Sequence, residues 1–123
     1  MEIYSIELLN SALIEVDKTL NKCEKIFPKF DKGTSQHTLL INRMNALTIS
    51  KQLIKDKISN HQKGISLTKK ELEQALKPID SIIHKCSQAQ SKYDINTFQF
   101  KRYNPLLESM KLCKSLIEKE LSI

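Results

Sequence analysis

Residues 4–59 recur as residues 67–122. A shift of 63 positions lays one stretch over the other without a gap, and 14 of the 56 paired positions are identical, among them Leu9/Leu72, Ala12/Ala75, Asp17/Asp80, Cys23/Cys86, Thr34/Thr97, Lys51/Lys114 and Ile54/Ile117. Others exchange like for like: Val16/Ile79, Leu20/Ile83, Phe30/Tyr93, Met44/Leu107 and Leu47/Met110. A repeat of this length marks one supersecondary unit used twice. The unit must therefore bury its apolar side against its own second copy.

The unit reads as an antiparallel helical hairpin. Ile6, Leu9, Leu13, Val16, Leu20, Cys23 and Phe27 recur at spacings of three and four, which puts them on one face of a helix running from residue 5 to about 30. Ser5 is its N-cap, and Pro28 bends or ends its last turn, because proline removes a backbone donor there. Gly33 can take the left-handed conformation that stops a helix, and Thr34 or Ser35 can cap the next one. That second helix spans about 35–59, with Leu40, Met44, Leu47, Ile54 and Ile58 as its stripe.

In the second copy Thr68 and Glu71 have the spacing of a capping box. Leu72, Leu76, Ile79, Ile83 and Cys86 form the next stripe, interrupted at Pro78, which predicts a kink or a late start. Leu107, Met110, Ile117 and Leu121 form the last, with Pro105 marking a first turn and Asn104 its cap. With only two Gly and three Pro in 123 residues, long helices are expected. The expected fold is all-α. It is a single four-helix-bundle domain over 1–123, built from repeat one (4–59), a polar linker (60–66) and repeat two (67–122) about a pseudo-twofold axis.

Three cysteines, two at matching repeat positions, read as reduced core residues of a cytoplasmic protein. There is no C-x-x-C and no His/Cys ligand spacing, so no metal or other cofactor is expected. No signal peptide is evident, and no apolar run is long enough to span a bilayer, so no membrane partner is expected.

The net charge of +6 rests on 18 Lys and two Arg. It reads either as a solvated surface or as attraction of something anionic. Three features bear on that choice. Lys51 and Lys114 fall on the core stripes of their helices. Counted out from the turn, Asp17 and Lys51 differ by only ~4–5 Å of helix rise, so each lysine either snorkels onto its aspartate or holds an anionic ligand group. The 33–47 run GTSQHTLLINRMNAL offers a helix N-terminus followed by His37 and Arg43, the latter able to fork onto phosphate or carboxylate. Finally, four of the seven aromatics, Tyr93, Phe98, Phe100 and Tyr103, lie in residues 93–103, interleaved with Lys101 and Arg102. They either cover the open end of the bundle or, beside these cations, stack a base.

The 33–47 run, together with ELEQALKPIDSIIHKC at 71–86, resembles small uncharacterised helical-hairpin proteins of low-GC Gram-positive bacteria and their phages. Those carry one hairpin per chain, and this chain looks like a tandem fusion. The resemblance implies a helical bundle and no activity.

Two functions fit. One is a non-enzymatic protein that sequesters a small anionic, nucleotide-like ligand, as a phage counter-defence protein would. Its candidate ligand groups are Gln36, His37, Arg43, Lys51, Gln99, Arg102 and Lys114. The other is a protein–protein interaction module (an inhibitor, adaptor or regulator) presenting a helix face or the 93–103 turn. Nucleic acid is the weaker expectation, since no helix-turn-helix or basic arm is evident. The pattern also allows two chains to pair as a homodimer. An enzyme is not expected, because no nucleophile–base pair or carboxylate cluster repeats across the halves.

Overall fold

The computed structural model describes residues 4–59 and 67–122, and the expected polar linker lies outside the described residues. Among those residues the protein is all-helical, with four long helices and one short one: α1 (Ile6–Ile26), α2 (Ser35–Ser59), α3 (Lys69–Gln90), α4 (Phe98–Lys101) and α5 (Asn104–Leu121). They form a helical bundle. Each of α1 and α3 packs against both α2 and α5, and α2 and α5 also touch across the bundle. The Tyr4 hydroxyl, before α1, meets Ser115 Oγ near the end of α5 at 2.6 Å, so α1 and α5 run antiparallel. The turns after α1 and after α3 therefore share one pole.

Local chemistry sets the helix ends. Ser5 Oγ accepts from the Leu8 amide, and Thr68 and Glu71 form the complete capping box. The two turns close alike. Thr34 and Thr97 each donate a hydroxyl to the carbonyl of Asp31 or Asp94, and each accepts from the amide three residues on, His37 or Phe100. Gly33 takes φ 85°, where a side chain would be strained.

Two boundaries differ from expectation, the end of α1 and the cap of α5, and two others are settled at prolines. The first helix stops at Ile26 rather than near residue 30, and a single 3-10 turn, Phe27–Lys29, follows it. Pro28 has no N–H for the Glu24 carbonyl, so a rung of the α-helical ladder is lost where the helix ends. Pro78 causes no late start, since α3 runs through it. Pro105 stands in the first turn of α5, as expected, and the short α4 before it ends at Lys101, whose carbonyl Pro105 cannot serve, whereas α2 has Asn42 at the corresponding position and is continuous. Asn104 is not the cap of α5. Tyr103 precedes the helix without a side-chain cap bond, and Asn104 Oδ1 instead accepts from Gln90 Nε2 at 2.7 Å.

One core joins all four long helices, including Leu9, Val16, Leu47, Ile54, Leu72, Ile79, Met110 and Ile117. Ile6, expected on the buried face, is 53% exposed, because the core begins a turn later, at Leu9 and Leu72. Ala46, Ser50, Ser109 and Cys113 are buried although they belong to no expected stripe. They lie four residues apart on α2 and α5, and their small side chains let these two helices approach across the bundle. Ser50 returns its hydroxyl to the Ala46 carbonyl at 2.8 Å, so its burial leaves no unpaired donor.

Candidate functional site

The turn pole concentrates the charge. Residues 22–43 and 85–103 hold nine Lys and Arg against three acids, the whole +6 of the chain, and the remaining eleven cations match eleven acids. Below the turns, Arg43 stands on α2, and its charge favours the thiolates of Cys23 on α1 and Cys86 on α3. Arg43 Nε and Nη2 are sealed from solvent and have no hydrogen-bond partner. Nε and Nη2 form the edge that takes a carboxylate or phosphate in two parallel hydrogen bonds. Among the described residues no carboxylate pairs with Arg43: the three ion pairs there are Lys18–Glu15, Lys51–Asp17 and Lys114–Asp80. The residue as a whole is half-buried.

The other candidates do not gather around Arg43. Lys51 Nζ lies 2.8 Å from Asp17, and Lys114 Nζ lies 2.9 Å from Asp80. Both charges are met inside their own hairpins, and the Asp80 carboxylate holds the Lys114 ammonium above its ordinary value. His37 packs its ring against Phe27, centroids 4.7 Å apart. The corresponding positions of the second hairpin use a different bond, Gln90 Nε2 donating to the Phe100 carbonyl at 2.9 Å. Arg102 sits over the Tyr103 ring, which stacks on Tyr93. Gln36 and Gln99 are exposed in the first turns of α2 and α4.

Sequence reasoning did not find the groove of about 820 Å³ between α2 and α3, whose floor includes Ala46, Ala75 and Pro78 and whose rim includes Asn42, Asn45 and Gln74. None of the seven candidates lines it. Its apolar floor is made of small residues that a stripe of large side chains does not reveal.

The three cysteines are free. Burial pushes the Cys23 and Cys86 thiols up, with Arg43 drawing both back. Burial pushes Cys113 up to about 12, with the Ser50 hydroxyl pulling the other way. The neutral thiol is the folded form, so Cys113 contributes stability that is whole below its ordinary value of 9.0 and is lost as pH rises towards about 12. In native protein, a thiol reagent at mildly alkaline pH should label Cys86, which is partly exposed, before Cys23, and Cys113 only on unfolding. Mass spectrometry of partially labelled protein reads the order. Cys113→Ser should flatten the alkaline loss of stability, and an unchanged slope would refute the assignment.

No protein-family model, curated protein or solved structure matches this chain.

Proposed function

We propose that the protein is a non-enzymatic binding protein that captures a small oxyanion-bearing ligand, nucleotide-like in its charge, with Arg43 as the anchor. The observation that carries this reading is the unpartnered Nε–Nη2 edge of Arg43. A guanidinium buried without an acceptor costs free energy, and a bound carboxylate or phosphate would return it. The +6 of the surrounding pole would draw such an anion in. Capture rather than turnover fits the neighbouring groups, because thiols with raised pKa are weak nucleophiles.

The capture site belongs to a proposed pseudo-twofold arrangement of two hairpins. The Asp17–Lys51 and Asp80–Lys114 pairs and the Thr34 and Thr97 caps support it. So does the contact of Ser50 with Cys113, its own counterpart 63 positions on, since a twofold axis brings equivalent residues together. On this reading Arg43 has Leu106 as its counterpart, so the two halves offer one fork, not two.

The test is native mass spectrometry of protein purified at low salt, followed by titration with inorganic phosphate and adenosine monophosphate. A stoichiometric anionic adduct is expected. Arg43→Leu should weaken its binding at least about thirtyfold, the loss of one charge-assisted fork. Equal affinity in the variant would remove Arg43 from the site.

A further inference from the structure

The turn pole also presents an apolar tip that anion capture does not use. Phe98 is 78% exposed and Ile95 68%, on the turn that leads into α4, with Tyr93 beside them at 43%. They do not close the end of the bundle: Phe100 turns partly inward, and Phe98 points to solvent. Exposed Lys92, Lys101 and Arg102 flank the tip, and exposed Lys25, Lys29 and Lys32 stand on the neighbouring turn of the same pole.

We propose that this pole docks end-on to an anionic lipid bilayer. Phe98 and Ile95 enter the boundary between headgroups and acyl chains, Tyr93 sits at headgroup level, and the lysines of both turns lie on the lipid phosphates. No helix among the described residues is long and apolar enough to cross a membrane, so the contact is peripheral.

Charge complementarity and shape together select this occupant. Long-range attraction orients the molecule, because its net charge is gathered at one pole while the rest is balanced. Seven of the pole's nine cations are lysines, and Arg43 is drawn inward, leaving Arg102 as the exposed fork. Lysine is a flexible point charge, suited to a diffuse headgroup layer, whereas the fixed carboxylates of a protein partner favour arginine forks. The apolar side chains stand on a protruding turn rather than lining a groove, and a fluid bilayer accommodates a projection without a preformed pocket. A second copy of this chain is disfavoured as occupant, since two poles of like charge repel.

The protein has no tryptophan, so Phe98→Trp supplies a single reporter. With vesicles of phosphatidylcholine containing about one part in three of phosphatidylglycerol, its emission should shift to the blue and the protein should co-sediment. Phosphatidylcholine alone should do neither, and added salt should weaken the effect. Ile95→Ser with Phe98→Ser should reduce vesicle affinity about tenfold or more, the worth of one buried large apolar side chain. Both positions are exposed, so the thermal melt should stay unchanged. Arg43→Leu removes one of nine cations and no part of the apolar tip, so it should weaken vesicle binding less than the paired serine change, which separates this site from the anion site.

Failure to co-sediment with the anionic vesicles overturns the proposal. Co-sedimentation that survives the serine changes also overturns it, leaving adsorption by charge alone. An equal blue shift with polyglutamate or with oligothymidylate, and none with vesicles, would assign the tip to an acidic protein or to nucleic acid instead.

Discussion

Replacing Ile54 or Ile117 by alanine is expected to destabilise the folded protein by about 2–5 kcal/mol. Both side chains are fully buried in the one core shared by the four long helices, on α2 and α5 respectively. Each change removes transfer energy and leaves a cavity that packed helices refill only in part. Small domains hold about 5–15 kcal/mol in total, so the double variant should approach the unfolding limit. The two positions lie 63 residues apart in the repeat. If the hairpins share one packing scheme, the two single losses should be similar. Urea denaturation followed by circular dichroism measures both. A loss at either position below about 1 kcal/mol, the range of surface substitutions, would contradict the burial described here.

Arg43→Leu is expected to act in the opposite sense on stability, raising it by about 1–3 kcal/mol while abolishing anion capture. Most substitutions destabilise, so the sign itself is the test. The gain comes from removing two sealed N–H donors that have no acceptor. The second hairpin has Leu106 at the corresponding position, so an apolar side chain of that size suits the hairpin there. A protein that keeps a costly arginine where leucine would serve has traded stability for a use of the charge. Destabilisation by Arg43→Leu would mean that the guanidinium finds an acceptor in solution, and the capture proposal would lose its main support. Measuring the melt and the phosphate titration on the same variant separates the two effects.

The Lys51–Asp17 and Lys114–Asp80 pairs were legible from helix arithmetic alone. A fixed rise per residue, counted from a shared turn, places two side chains at one level of a hairpin without knowledge of the rest. The capping box at Thr68 and the end of α1 near Pro28 were legible for a similar reason, since each depends on a few adjacent residues. The small buried residues Ala46, Ser50 and Ser109 were not. Hydrophobic periodicity weighs large apolar side chains, and small ones become core only when another helix comes close enough to cover them.

The candidate site was legible in part. Arg43 stood out as one of two arginines among 18 lysines, but nothing local distinguished it from Arg102. Packing separates them: Arg102 lies over the Tyr103 ring on an exposed turn, and the Nε and Nη2 of Arg43 are buried. Lys51 and Lys114 looked equally available for a ligand, and the structure gives both to aspartates of their own hairpins.

Sequence by itself determined the helices, because helix periodicity, caps and breakers act over a few residues. Only the tertiary structure decided that both turns meet at one pole, gathering the whole net charge there, and that one guanidinium is sealed without an acceptor. Desolvation and summed charge depend on which helix ends are brought together, and that is a property of the assembled bundle.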